Sequence, residues 1–183
     1  YNTKTNKENK MEQKSIQTMF SSQSDKWSTP QAFYDELNKV YNFTLDPCCD
    51  EESRKCAKFF TEKDNGLQQS WRGETVFMNP PYGREIKKWL AKAHSESKNP
   101  NTKVVCLVPA RTDTKYWHEY CMSADKLYLI KGRLKFGNSK NSAPFPSAIV
   151  VFDSESERDS PEITAMNSSG KPLWVLKVIK SEA

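Results

Sequence analysis

A short apolar run, Thr75-Val76-Phe77-Met78, ends directly in Asn79-Pro80-Pro81-Tyr82, and a lysine-rich amphipathic stretch follows within a few residues. This junction constrains the chain more than any other feature. Asn79 and Pro80 each precede a proline, which pushes both out of the helical region into extended geometry. The prolines themselves have φ held at about −65° and carry no N–H. A strand entering this segment stops on a stiff shelf whose carbonyls cannot be used up in a helix. The Asn79 side-chain oxygen and the Pro80 carbonyl can then converge on one donor group. In α/β folds ligands gather at the carboxyl ends of strands, where this shelf must lie. Two acceptors on an exocyclic NH₂ would hold it and stabilise positive charge growing on its nitrogen during attack on an electrophile, which is preorganised electrostatics with acceptors in place of donors. Tyr82 adds a flat ring on which a base can stack. The plainer reading is a Pro-Pro turn closing a strand, with Tyr82 as core filler.

The rest of the chain alternates strand and helix patterns. In Trp27–Tyr41, Thr29 is placed to cap a helix with Pro30 at its first position, and Phe33, Leu37 and Val40 recur at helical spacing. A strand is expected over 43–46, then a segment from Glu51 to Phe60 that starts helical and ends extended. Asn65-Gly66 marks a turn. After the shelf, Ile86, Trp89, Leu90 and Ala93 line one face of a helix, with Lys87, Lys88 and Lys92 turned away. Residues 103–109 read as a fully buried strand, 116–121 as a short helix, and 127–132 and 147–152 as further strands. An acidic, Ser-rich linker is expected over 153–170 and a last apolar stretch over 173–179. The pattern predicts an α/β sheet, parallel in its first part.

Residues 1–26 lack apolar periodicity and read as a disordered arm, with Met11 a candidate start and 1–10 an extension. The apolar runs fall far short of the ~20 residues that span a bilayer, and no secretory signal is expected in the first 26 residues. Five cysteines with no C-x-x-C pair and only two histidines argue against a zinc site and for reduced thiols in a cytoplasmic protein, with no metal. The net charge of +5 is unevenly spread: residues 27–82 carry −3 and residues 83–152 carry +8. A block of that sign is the footprint of a phosphate-backbone partner, or else a solvated lysine-rich surface. Arg84, Lys88, Arg111, Arg133 and Lys135, near strand ends or the shelf, are the candidate phosphate contacts. The six glycines begin only at Gly66, so a glycine-rich phosphate cradle in the first third of the chain is excluded.

A strand running into Asn-Pro-Pro-Tyr is the signature of amino-group methyltransferases. From Trp27 to about Phe152 the chain resembles the phage-type DNA N6-adenine methyltransferases, the Dam family of phages and prophages. The shared stretches are W-S-T-P (27–30), L-D-P (45–47), E-K-D-N-G-L (62–67), F-M-N-P-P-Y-G-R (77–84), V-P-A-R-T-D-T (108–114), G-R-L-K-F (132–136) and A-P-F-P-S-A-I-V-V-F (143–152). The resemblance implies a single-domain Rossmann-like methyltransferase sheet over 27–152, with helices on both faces and antiparallel later strands. It implies methyl transfer from S-adenosylmethionine to N6 of adenine in duplex DNA, in line, on a base flipped out of the helix. Asn79, Pro80, Pro81 and Tyr82 would form the catalytic segment. Thr29, Pro30, Asp46, Pro47, Cys48 and Asp64 would face the cofactor. Where the wider methyltransferase pattern has glycines after the acidic strand end, this chain has Asp46-Pro47-Cys48-Cys49. The same chemistry on cytosine N4, RNA or a protein glutamine, and an inactive DNA-binding module, are the alternative readings.

Overall fold

Three parallel strands end close to one another on one side of the molecule, and the rest of the chain builds outward from them. The computed structural model describes residues 27–175, apart from 138, 140 and 159. The expected arm over 1–26 and the end of the last apolar stretch lie outside the described residues. The elements run α1 (Gln31–Tyr41), β1 (Leu45–Asp46), β2 (Lys58–Phe59), β3 (Thr75–Met78), α2 (Ile86–Glu96), β4 (Lys103–Pro109), α3 (Lys115–Glu119), a 3₁₀ turn (Cys121–Ser123), β5 (Lys126–Lys131), β6 (Ser147–Asp153), β7 (Glu162–Asn167) and β8 (Pro172–Val175). The strands form one sheet in the order β2-β1-β3-β4-β6-β5-β7-β8.

The first four sheet neighbours, β2, β1, β3 and β4, are parallel. β6 then pairs antiparallel with β4 along its full length, from Lys103↔Asp153 to Pro109↔Ser147, and β5 is antiparallel to β6. The later part is not uniformly antiparallel, because β7 runs parallel to β5 from Lys126↔Glu162 to Lys131↔Asn167.

Register places helices on opposite faces. Val76, Val104 and Phe152 are level with one another across three strands, and Phe152 meets His94 of α2 with ring centroids 5.7 Å apart. One residue along, Phe77 points the other way and meets Tyr34 of α1 at 5.1 Å. Since successive strand residues face opposite sides, α2 covers one face and α1 the other. β4 and β6 are buried on both faces, as their continuous apolar sequences require.

Four local expectations change. Gln31 opens α1 with Pro30, which has no side-chain acceptor, at the cap position in place of Thr29; the Thr29 hydroxyl, one residue further out, accepts from Asn79. Val40 is 65% exposed: the buried stripe runs through Phe33, Tyr34 and Leu37, leaving Val40 at its edge. Residues 51–60 contain no helix; Ser53 N–H donates to Asp50 Oδ1 (2.8 Å) and Asp50 N–H to Ser53 Oγ (3.3 Å), and this local turn competes with helix formation. The segment expected to be an acidic linker contributes β7, in which Thr164 and Met166 point inward at period two. Its charged, Ser-rich lead-in hides that alternation in the sequence.

Candidate active site

The carboxyl ends of β1 and β3 open into a cleft of about 1080 Å³. Two of its walls are the strand-end segments Asp46-Pro47-Cys48-Cys49 and Asn79-Pro80-Pro81. A third is the entry segment Trp27-Ser28-Thr29, and a fourth comes from the turn after β2, through Thr61, Glu62, Asn65, Gly66 and Leu67. Trp89 of α2 closes the inner side.

Asn79 sits at the meeting point of the first three walls. Its Nδ2 donates to the Trp27 main-chain carbonyl and to Thr29 Oγ1, the latter at 2.9 Å. Its Oδ1 is buried and has no hydrogen-bond partner. An unpaired buried acceptor typically costs ~1–3 kcal/mol, so this oxygen marks where a donor is missing. Pro80 behind it is buried.

Asp46, 4% exposed, ends β1. Lys55 N–H donates to its Oδ2 at 3.0 Å, and Cys48 N–H approaches Oδ1 at 3.5 Å. Burial pushes its pKa up to about 6 against the opposing pull of those main-chain donors. The cleft is acidic as a whole: Asp46, Asp50, Glu52, Glu62 and Glu85 line it, with Lys55 the one basic side chain among its lining residues.

Gly66 supplies the close approach that the cysteines of the first wall cannot. A Cβ there would lie 2.0 Å from the Pro47 carbonyl oxygen and 3.3 Å from Trp89 Cη2. Its own carbonyl accepts from Trp71 Nε1 at 3.0 Å. A glycine is thus brought against the end of β1 from a turn about twenty residues downstream.

Of the residues expected at the site, Thr29, Asp46, Pro47, Cys48, Asn79, Pro80 and Pro81 line the cleft, whereas Pro30, Asp64 and Tyr82 do not. Asp64 is exposed and closes its own turn, accepting from Thr61 N–H (2.8 Å) and Thr61 Oγ1 (2.7 Å). Those two bonds hold its carboxyl below the usual range. Tyr82 is 5% exposed. The edges of Phe136 and Phe145 pack on its ring at 6.1 and 5.5 Å, and the same two rings pack on Trp27 at 5.5 and 5.1 Å. Gly137 N–H donates to the Ser28 carbonyl (2.7 Å), tying this aromatic wall to the entry segment. Arg84, Arg111, Arg133 and Lys135 are exposed, and none forms a salt bridge with the described residues. Lys88 is paired with Glu85 at 2.8 Å.

The sequence reading missed Trp27, Gly66, Lys55, Glu62 and Trp89 as site residues. Two signals were present: Gly66 is the first glycine of the chain, and Trp27 opens the first stretch with helical apolar spacing. Trp89 reads as core from its helical spacing, and it does stack on Trp71 at 6.3 Å; its second role, closing the cleft, depends on tertiary placement. Among the described residues no group of three or more His, Cys, Asp or Glu could hold a metal ion, and no helix is long and apolar enough to cross a membrane. All five cysteines are free thiols.

The cleft thus lies at the carboxyl ends of parallel strands of an α/β sheet, with Asn79, Pro80 and Pro81 on one of its walls. The family model for DNA N-6-adenine-methyltransferase (Dam) matches residues 17–171, and the chain belongs to that family. It is 30% identical over 161 residues to the DNA N-6-adenine-methyltransferase of Escherichia phage T1. That match covers 85% of this chain but 64% of the phage protein, so the chain spans under two thirds of that relative's length. The solved structure of the Type IIL restriction-modification enzyme MmeI in complex with DNA overlaps with a TM-score of 0.43 at 14% identity, over 66% of this chain and 21% of that one.

Proposed function

We propose that this chain methylates the N6 amino group of adenine in duplex DNA with S-adenosylmethionine as methyl donor. The observation that carries the reading is the buried, unpartnered Oδ1 of Asn79 at the end of β3. An acceptor held in place and left without a donor suits a substrate that brings an N–H. Family membership and the phage T1 relative's name support DNA adenine as the source of that amine.

The cofactor fits the cleft on two counts. The volume, about 1080 Å³, is just above the ~300–1,000 Å³ typical of small-molecule sites, enough for a nucleoside-sized group with room left for a base. The lining carries five carboxylates, one of them (Glu85) already paired with Lys88, against the single lining ammonium of Lys55, a balance that favours a cationic ligand over a phosphate-bearing one. Asp46, Pro47 and Cys48 would hold it from the β1 side, with Thr61, Glu62 and Gly66 across from them. When bound, S-adenosylmethionine supplies an electrophilic methyl group on a sulfonium.

Asn79 Oδ1 and the Pro80 carbonyl would accept the two amino hydrogens of adenine. Held this way, the amine turns its lone pair out of conjugation with the ring, and the positive charge that develops on nitrogen meets two fixed dipoles. Transfer would form the N6–methyl bond as the methyl–sulfur bond breaks, leaving a neutral thioether, and the extra N6 proton would pass to solvent, so no covalent bond to the protein is needed. The base must leave the duplex to reach the shelf, at an unstacking cost of a few kcal/mol. Tyr82 would stack on it once Phe136 and Phe145 move aside. Arg84, Arg111, Arg133 and Lys135 would take backbone phosphates, which fix register rather than sequence.

The test is transfer of labelled methyl from S-adenosylmethionine to adenine-containing duplexes, with digestion to nucleosides. Label is expected in N6-methyl-2′-deoxyadenosine and is abolished by Asn79→Ala. Label in N4-methylcytosine, in RNA or in protein alone would overturn the substrate, and cofactor binding without transfer to any DNA would overturn the activity.

A further inference from the structure

We propose that Thr29 is a positioning residue for Asn79: its hydroxyl oxygen and the Trp27 carbonyl take both N–H bonds of the Asn79 amide, so that only Oδ1 faces the amine to be methylated. This rests on the reading of Asn79 as the amine-holding residue.

A primary amide can sit either way round in its density of contacts, and the two orientations would do opposite things here. With oxygen outward it accepts from an amine; with nitrogen outward it repels one. A main-chain carbonyl can only accept, so the Asn79 atom facing Trp27 must be Nδ2. Thr29 Oγ1, 2.9 Å away, takes the second N–H. Both donors are then satisfied inside the protein, and reversing the amide would place oxygen against oxygen at Trp27.

A second observation points the same way. Thr29 lies one residue outside the cap position of α1, which Pro30 occupies, so its hydroxyl is not needed by the helix. The hydroxyl is directed to Asn79 instead. The segment that carries it is itself anchored, because Ser28 accepts from Gly137 N–H at 2.7 Å. The main chain leading into Thr29 is thus fixed by a contact within the fold.

Thr29→Val and Thr29→Ser test the assignment in the full chain. Single-turnover methylation of an adenine duplex is expected to slow by on the order of 10- to 100-fold in Thr29→Val, the scale of a small misplacement at a reacting centre. The calorimetric Kd for S-adenosylmethionine should stay within about twofold of the parent, and Thr29→Ser should restore the rate. A raised cofactor Kd with an unchanged rate would make Thr29 a cofactor contact and overturn the proposal, as would no effect on either. A readout on the unaltered, ligand-free protein does not depend on activity or on how the variant folds. The Asn79 side-chain amide protons, assigned by their loss in Asn79→Asp, should exchange with solvent slowly. Fast exchange overturns the positioning role even if methylation is observed. Absence of methylation by the parent, with slow exchange retained, instead overturns the proposed activity.

Discussion

Gly66 faces the Pro47 carbonyl so closely that a single added carbon would lie 2.0 Å from its oxygen. Neither neighbour can yield cheaply, since one is main chain at the end of β1 and the other is the Trp89 ring, wedged against Trp71. Gly66→Ala must therefore push the Asp46-Pro47-Cys48 wall or the 61–68 turn out of place. Overpacking of this kind costs ~1–3 kcal/mol. We expect a lower urea midpoint and at least about tenfold weaker S-adenosylmethionine binding by calorimetry, on the scale of ~1.4 kcal/mol per decade. Unchanged affinity in a folded Gly66→Ala protein would show that this wall does not hold the cofactor.

The pKa of Asp46 gives stability a defined pH dependence. Burial raises it from 3.8 unfolded to about 6 folded. The folded state thus binds the proton more tightly, and the associated stability is fully present below pH 4 and is lost as pH rises through 6. At one pKa unit per 1.36 kcal/mol, the loss is on the order of 3 kcal/mol. Asp46→Asn, which cannot ionise, should lack this component. Urea melts between pH 4 and pH 7.5 should show the parent losing stability relative to Asp46→Asn across that window. A constant difference would place the carboxylate in a better-solvated setting.

Strand positions that are buried on both faces were legible in the sequence: β3 and β4 fall where their apolar runs place them. The Asn79 shelf was legible for a local reason, since consecutive prolines restrict the backbone whatever surrounds them. What stayed hidden depends on contacts between distant segments. Thr29 has the form of a helix cap, and nothing within Trp27–Tyr41 shows that its hydroxyl will be drawn to Asn79, fifty residues on. Asp64 reads as a site residue from the family resemblance, but its nearest donors are three residues away on Thr61. Gly66 can be seen as rare in the sequence, though not as the partner of Pro47. β7 was hidden by composition, because its inward residues are Thr164 and Met166 rather than a run of branched aliphatics.

Tyr82 separates packing from hydrogen bonding. Its hydroxyl reaches the Leu107 carbonyl only at 3.5 Å, while its ring is gripped by Phe136 and Phe145. Loss of a bond that long should cost ~0.5–1 kcal/mol or less, whereas removing the ring opens a cavity worth ~3–5 kcal/mol. Tyr82→Phe should therefore keep near-parental urea stability and a methylation rate within about threefold, since the stacking face is unchanged. Tyr82→Ala should fall by several kcal/mol in the same melts. A large rate loss in a stable Tyr82→Phe protein would assign the hydroxyl a role at the reacting amine.

The exposed cations make a prediction that local pairing sharpens. Arg111 and Arg133 form no salt bridge with the described residues, whereas Lys88 already holds Glu85 at 2.8 Å. A cation that meets phosphate releases counterions, steepening the dependence of log K on log salt by about 0.9 for each phosphate neutralised. Arg111→Ala and Arg133→Ala should each weaken duplex binding to a similar degree across sequences and flatten that slope by about 1. Lys88→Ala should leave the slope nearly unchanged, because Lys88 must break its bond to Glu85 before it can contact a phosphate. Fluorescence anisotropy over a salt series measures all three. If Lys88→Ala flattens the slope and the two arginine variants do not, the DNA passes along α2 rather than across the ends of β4 and β5.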